Sequence, residues 1–173
     1  MGAGQDEADP WEEITAHLAA VRLRSYLEYV FSEICQKLRV SVEYRGDAQH
    51  NLGELLPPAI SHFKELMKKG KESANSWGRA DKVKELEAKE KAFSALVAAS
   101  SADQWQINPA IHYNNWENFG KADFTPVAKA FKELIEAFDC PQCNLFVWVE
   151  PERGPKHSIR CECCETTINL LKK

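Results

Sequence analysis

Apolar side chains recur at three- and four-residue steps in four stretches of this chain, the spacing that gathers them on one face of a helix. In the first stretch, Ile14, Leu18, Val21, Leu27, Val30, Ile34 and Leu38 read as a single stripe and predict one long helix over about residues 10–39. Asp9 can cap it, Pro10 suits the first helical position, and Glu12 lies near the positive end of the helix dipole. Cys35 stands beside the stripe and is expected to be a core thiol. An extended connector over 40–44 and a turn at Gly46-Asp47 follow. Asn51-Leu52-Gly53-Glu54 resembles a capping box that opens one helical turn ending before Pro57-Pro58. Pro58 then restarts the chain as a second main helix to about Lys69, buried through Ile60, Phe63, Leu66 and Met67.

Val83, Leu86, Phe93, Leu96 and Val97 predict a third helix over 80–99, paired with the second as an antiparallel hairpin. A fourth, capped at Thr125-Pro126, carries Val127, Phe131, Leu134, Ile135 and Phe138 on one face and runs directly into Cys140. Between them, residues 105–119 crowd four aromatics and four asparagines together with neither helical nor strand periodicity. That composition suits an irregular loop held by side-chain amides and anchored by large rings. Past Cys140 the chain reads as strands over 145–149, 157–160 and 166–170, with a turn over 152–155. The expected architecture is mainly α: a helical bundle or hairpin over 9–138, then a small zinc-ribbon β module over 139–173, with residues 1–8 disordered. So short a junction predicts a module docked on the helical body.

Composition narrows the setting. The chain has 173 residues, 44% of them hydrophobic, enough for one medium domain or a domain with an appendage. A formal charge of −4 argues against bulk attraction to nucleic acid or to an anionic membrane. No apolar run approaches the roughly 18 residues needed to span a bilayer. Met1–Glu7 has no basic region leading into an apolar core, so no signal peptide and a soluble cytoplasmic protein are expected.

The chemistry is concentrated in the last quarter. Five of six cysteines fall in Cys140-Pro-Gln-Cys143 and Cys161-Glu-Cys163-Cys164, with seventeen residues between the two groups. A Cys-x-x-Cys turn converges two thiolates on one point, and a second pair returned by a hairpin completes four soft donors for Zn²⁺. Cys140, Cys143 and Cys161 are the expected ligands. Cys164 is the favoured fourth, because two-residue spacing closes the tetrahedron with less strain, and Cys163 is the alternative. Disulfides or unconnected thiols are the competing readings, disfavoured where the surroundings keep thiols reduced. Four thiolates leave no open coordination position, so one structural zinc is expected and no metal catalysis.

Two further clusters carry weaker signals. Over residues 62–84, seven cations face only Glu65, Glu72 and Asp81, a net of +4, with Trp77 in their midst. Lys68, Lys69, Lys71, Trp77 and Arg79 would form a phosphate- or base-contacting patch, to which the ribbon adds Arg153, Lys156 and Arg160. The plainer reading is a solvated turn between helices, with Trp77 folded back on the core. The ribbon itself is neutral, with five cations and five acids over 139–173. In the aromatic segment, His112, Asn114, Asn115 and Trp116 are the residues of a candidate polar site, set against a packed structural connector. No nucleophile or base accompanies His112 at a recognisable spacing.

Asn108-Pro109-Ala110-Ile111-His112-Tyr113-Asn114-Asn115-Trp116, followed by Phe124-Thr125-Pro126-Val127, a helix and the ribbon, resembles C-terminal regions of prokaryotic SMC/RecF-like ATPases, several associated with phage defence. The likeness covers about the last 70 residues. It implies an accessory domain acting beside an ATPase. The chain has no Gly-x-x-x-x-Gly-Lys-Ser/Thr loop and thus no phosphate cradle of a motor. The leading expectation is a non-enzymatic module that binds a protein partner in a nucleic-acid-handling or defence complex. The alternative is direct DNA or RNA binding, and an enzyme centred on His112 ranks third. No small-molecule substrate is indicated.

Overall fold

The computed structural model describes residues 10–43, 46–47, 49–112, 121–153, 156–162 and 167–173. Its elements are α1 (Pro10–Leu38), α2 (Leu52–Ser76), α3 (Ala80–His112) and α4 (Lys121–Glu136), then β1 (Trp148–Arg153), β2 (Lys156–Arg160) and β3 (Thr167–Asn169). The fold is mainly helical, with a small C-terminal antiparallel sheet in the order β1-β2-β3. Ile159 pairs with Val149 on one side and Ile168 on the other, which sets the sheet's register. No described helix is long and apolar enough to cross a membrane.

α1 keeps its predicted span, but its apolar residues form two faces rather than one stripe. At about 100° per residue, Leu23, Leu27, Val30, Ile34 and Leu38 fall within roughly 80° of each other. Leu27, Val30, Ile34 and Leu38 are buried, and Leu23 packs against them. Leu18 and Val21 lie on the far side and are exposed, Leu18 by 51%. The six-residue step from Val21 to Leu27 shifts the phase, so the upstream residues cannot share the downstream face. α1 ends in a Schellman turn: Val40 N–H bonds the Cys35 carbonyl at 2.9 Å and Arg39 N–H the Gln36 carbonyl at 3.2 Å. Arg39 takes the left-handed conformation there (φ 58°) and extends its Nε to the Val149 carbonyl of β1 at 3.3 Å.

α2 opens with the complete capping box: Asn51 Oδ1 accepts from Glu54 N–H at 3.2 Å, and Glu54 Oε2 accepts from Asn51 N–H at 2.9 Å. The expected break at Pro57-Pro58 does not occur, and the helix runs unbroken to Ser76. The buried stripe Leu52, Leu55, Leu56, Ala59, Phe63, Leu66 and Met67 crosses the prolines without a change of phase. Pro57 and Gly53 lie on the exposed side, where water can take the carbonyl that a proline leaves unbonded. α2 ends in a second Schellman turn, with Arg79 N–H on the Ala74 carbonyl at 2.9 Å and Gly78 at φ 71°, where glycine is unstrained.

Three other boundaries move. β1 lies at Trp148–Arg153 rather than over 145–149, and takes in the start of the expected turn over 152–155. α3 continues to His112, so residues 105–112 are helix rather than irregular loop. Once a helix is nucleated, each added residue costs little, and an apolar stripe is not needed to extend it. α4 begins at Lys121, before the predicted Thr125-Pro126 cap, and encloses Pro126. The remainder of the aromatic segment, residues 113–120, lies outside the described residues, as do residues 1–9.

The core joins helices and sheet in one cluster. Phe31 (α1), Phe63 (α2) and Phe93 (α3) surround Phe138, with ring centroids 6.1, 4.8 and 5.3 Å from it. Val147, Val149, Ile159 and Leu170 of the C-terminal module belong to the same cluster. The expected docking is thus direct. At Gly70 of α2 an added Cβ would stand 2.7 Å from Ile168 Cγ2 of β3, so only glycine permits this approach. Residues 170–173 then run along the end of α2. Ser73 Oγ and Trp77 Nε1 donate to the Leu171 carbonyl at 2.6 and 3.1 Å, and Lys172 pairs with Glu72 at 2.9 Å.

Two measurements test this packing. Gly70→Val should lower stability by about 1–3 kcal/mol through overpacking. Gly70→Val with Ile168→Ala should recover part of that loss in thermal melts, and no loss in the single variant would contradict the close approach. Cys35 is buried with its Sγ 3.6 Å from the Leu55 carbonyl, and burial pushes its thiol up to about 11. An unfolded thiol ionises near about pH 8.5. The stability contributed by the neutral thiol is therefore complete below that pH and is lost as pH rises toward 11. The wild type should lose more melting temperature than Cys35→Ala across that window.

Candidate metal centre

The cysteine site grows directly from the aromatic core. The Phe138 carbonyl accepts from Val147 N–H at 3.1 Å, and Cys140 N–H donates to the Leu145 carbonyl at 2.9 Å. Asp139 and Phe146 form an antiparallel bridge between these two bonds. The loop beyond is closed by Asn144 N–H on the Cys140 carbonyl at 2.9 Å, and Asn144 adopts φ 55°. Asparagine tolerates this left-handed conformation better than most side chains. This tight turn brings Cys143 back toward Cys140. Cys161 arrives from the other direction, as the first residue after β2.

The Sγ atoms of Cys140, Cys143 and Cys161 all lie within 4.8 Å of one another, with Cys143 and Cys161 3.0 Å apart. That separation is well beyond the roughly 2.05 Å of a disulfide bond, so these two sulfurs are not joined in one. A metal–sulfur distance of about 2.3 Å would set tetrahedral sulfurs about 3.8 Å apart. The three thiols thus fit the ligand sphere of one metal ion. Cys140 and Cys161 are buried and Cys143 is half-buried. Cys163 and Cys164, the two candidates for the fourth ligand, lie outside the described residues. His157, in β2, has its Nδ1 on the Glu150 carbonyl at 3.0 Å.

Lys89 of α3 was not foreseen at this site. It lines with Cys140 a cleft of about 700 Å³, its amine 5.6 Å from the centre of the Phe63 ring. Burial holds its ammonium below the usual lysine range, opposed by the Cys140 thiolate and Glu85. A cation beside a cysteine favours the thiolate form that binds metal. Asp139 shares the cleft, and its carboxyl is pushed up by burial and then by Glu136. No sequence spacing announces Lys89, because the contact joins residues 51 positions apart.

The other predicted site residues separate. Lys68 and Lys69 are exposed on α2, whereas Lys71 forms an ion pair with Glu90 of α3. Arg160 pairs with Glu150 at 2.7 Å, so two of the eight proposed nucleic-acid contacts are already neutralised within the fold. Arg153 ends β1 and Lys156 begins β2. Trp77 and Arg79 stand together at the α2–α3 junction, beside β3. His112 is the last residue of α3, while Asn114, Asn115 and Trp116 lie outside the described residues.

The purified chain should carry one zinc by elemental analysis, and Cys140→Ser or Cys161→Ser should remove most of it. Cys164→Ser should act likewise, with Cys163→Ser keeping the metal. Full zinc retention by Cys140→Ser would rule the site out, and a coloured preparation containing iron would reassign its metal. No protein-family model, curated protein or solved structure matches this chain, so the site is read from its own geometry.

Proposed function

We propose that this chain is a zinc-stabilised protein-interaction module without catalytic activity of its own, which docks an amphipathic helix of a partner protein. The observation that carries the reading is a groove of about 390 Å³ between α1, α4 and the cysteine turn. Its floor is apolar, from Leu23, Leu27, Phe131, Ile135 and Phe146. Tyr26 and Leu145 stand at its edge, 55% and 48% exposed. A groove between helices takes a helical ligand through anchors at three- and four-residue steps. A large aromatic beside a desolvated apolar floor is the usual make-up of a binding hot spot.

The metal supports this role by fixing shape. Zinc is the ion that thiolate donors and a tetrahedral sphere favour, with Cys140, Cys143, Cys161 and Cys164 as ligands and Cys163 as the alternative fourth. Held so, the turn bearing Leu145 keeps its place against α4. The likeness of the C-terminal sequence to tails of SMC/RecF-like ATPases suggests the partner's class: an ATPase of a nucleic-acid-handling or defence complex. That likeness rests on sequence pattern alone.

The test begins with a photo-crosslinking residue at Tyr26 of the zinc-loaded chain, followed by purification of the captured protein and titration of the binary complex. Tyr26→Ser and Leu145→Ser should each weaken binding about tenfold or more, the effect of losing over 1 kcal/mol at a hot spot, with zinc content and melting temperature unchanged. Variants that bind as tightly as wild type, or a captured protein that fails to bind once purified, would refute the reading.

A further inference from the structure

Another concave site lies at the C-terminal end of α2, at its junction with α3 and β3. A cleft of about 410 Å³ is lined there by Trp77, Arg79, Lys82, Leu86 and Ile168 among others. That volume lies within the range of small-ligand sites. Its walls have three different chemistries. The floor is apolar, from Leu86 and Ile168. One side is the Trp77 indole, 50% exposed yet fixed in place by its Nε1 bond to the Leu171 carbonyl at 3.1 Å. The third element is cationic.

The cations here differ in availability. Lys82 pairs with Glu85 at 2.6 Å, and Lys172 with Glu72 at 2.9 Å. The Arg79 side chain is exposed and has no ion-pair partner among the described residues. Lys173 holds its amine 5.8 Å from the centre of the Trp77 ring, the reach of a cation–π contact. Lys68 and Lys69 lie exposed further back along α2. Together with Lys172, the main cause, they hold the Glu72 carboxyl below its ordinary value. An exposed indole held by its N–H bond, with Arg79 and Lys173 beside it, matches the needs of a group with a flat ring and an attached anion.

We infer that this cleft binds a nucleobase with its phosphate, the base stacking on Trp77 and the phosphate meeting Arg79 and Lys173. Such a unit comes from single-stranded nucleic acid or from a free nucleotide, and the chemistry at the cleft is shared. An acidic peptide would satisfy the cations but leave the indole without a stacking partner, so the nucleotide is the better fit. Lys71, drawn into its pair with Glu90, is not part of the site. The inference is independent of partner docking at the α1–α4 groove, which lies on other elements.

The zinc-loaded chain would be titrated with labelled (dT)10 and (rU)10 at low and moderate salt, and with AMP, against a Glu-rich decapeptide. Base stacking is worth about 1–3 kcal/mol, so Trp77→Leu should weaken binding roughly 5- to 150-fold. Trp77→Phe keeps a stacking face while losing the N–H bond to Leu171, so it should bind close to wild type and separates stacking from tail anchoring. Arg79→Gln should weaken binding and reduce the salt slope by about one. Lys71→Gln should change nothing. Binding of AMP as tightly as the oligonucleotides would identify a free nucleotide as ligand, and salt-sensitive binding of oligonucleotides alone would identify a strand. No binding of either probe at low salt, equal binding by folded Trp77→Leu, or preference for the peptide would overturn the inference.

Discussion

Phe138 is the residue on which both halves of the molecule depend. Its ring meets one phenylalanine from each of α1, α2 and α3, edge-on to Phe31 and Phe93 and tilted against Phe63. Each such pair adds about 0.5–1.5 kcal/mol beyond the area it buries. A buried phenylalanine is worth about 3–5 kcal/mol against alanine, a large share of the roughly 5–15 kcal/mol that holds a domain folded. Two residues later stands Cys140, and the Phe138 carbonyl accepts the first bond of the loop that carries Cys143. The helical core thereby fixes the position of the first thiol before any metal is bound.

A three-stranded sheet of this size buries too little to be stable alone. It is held at three places instead: the cysteine cluster, the Phe138 loop, and the tail over 170–173 that lies on α2. The third attachment accounts for a glycine inside a helix. Gly70 costs its helix about 1 kcal/mol relative to alanine, and it is kept because Ile168 occupies the space a methyl would need. Ser73, Trp77 and Glu72 then bond the tail within the next two turns, so α2 acts as the sheet's second foundation.

The sequence was most legible where one local rule decided the outcome. The capping box at Asn51, the helix over 10–38, the second and third strands and the convergence of Cys140, Cys143 and Cys161 follow from spacing and end chemistry. Errors arose where a local rule met a longer-range force. Pro57-Pro58 suggested a break, but seven buried residues on one face of α2 outweighed two missing hydrogen bonds. The seven apolar residues of α1 suggested one stripe, until the six-residue step separated a core face from an exposed one. Groupings of distant residues left no trace in the sequence: Lys89 and Cys140 on one cleft, Lys71 on Glu90, and Tyr26 and Leu145 on one groove all depend on how the elements pack. Gly70 did leave a signal, a lone glycine within a helical pattern, whose meaning only the position of Ile168 supplies.

The C-terminal module contributes a wall to each of the two surface sites. Leu145 and Phe146 close one end of the α1–α4 groove, and Thr167, Ile168 and Asn169 close one side of the Trp77 cleft. Both concavities are thus shared between the helices and the module. On the proposed reading, a metal at the thiol cluster would act beside the core packing and the tail on α2 in holding both walls in place. A metal held there would bear on two surfaces, the α1–α4 groove through the loop that carries Leu145 and the Trp77 cleft through β3. With the proposed ligand contacts placed partly on the helices and partly on the ribbon, recognition would follow metal occupancy through the close packing at Gly70 and Phe138.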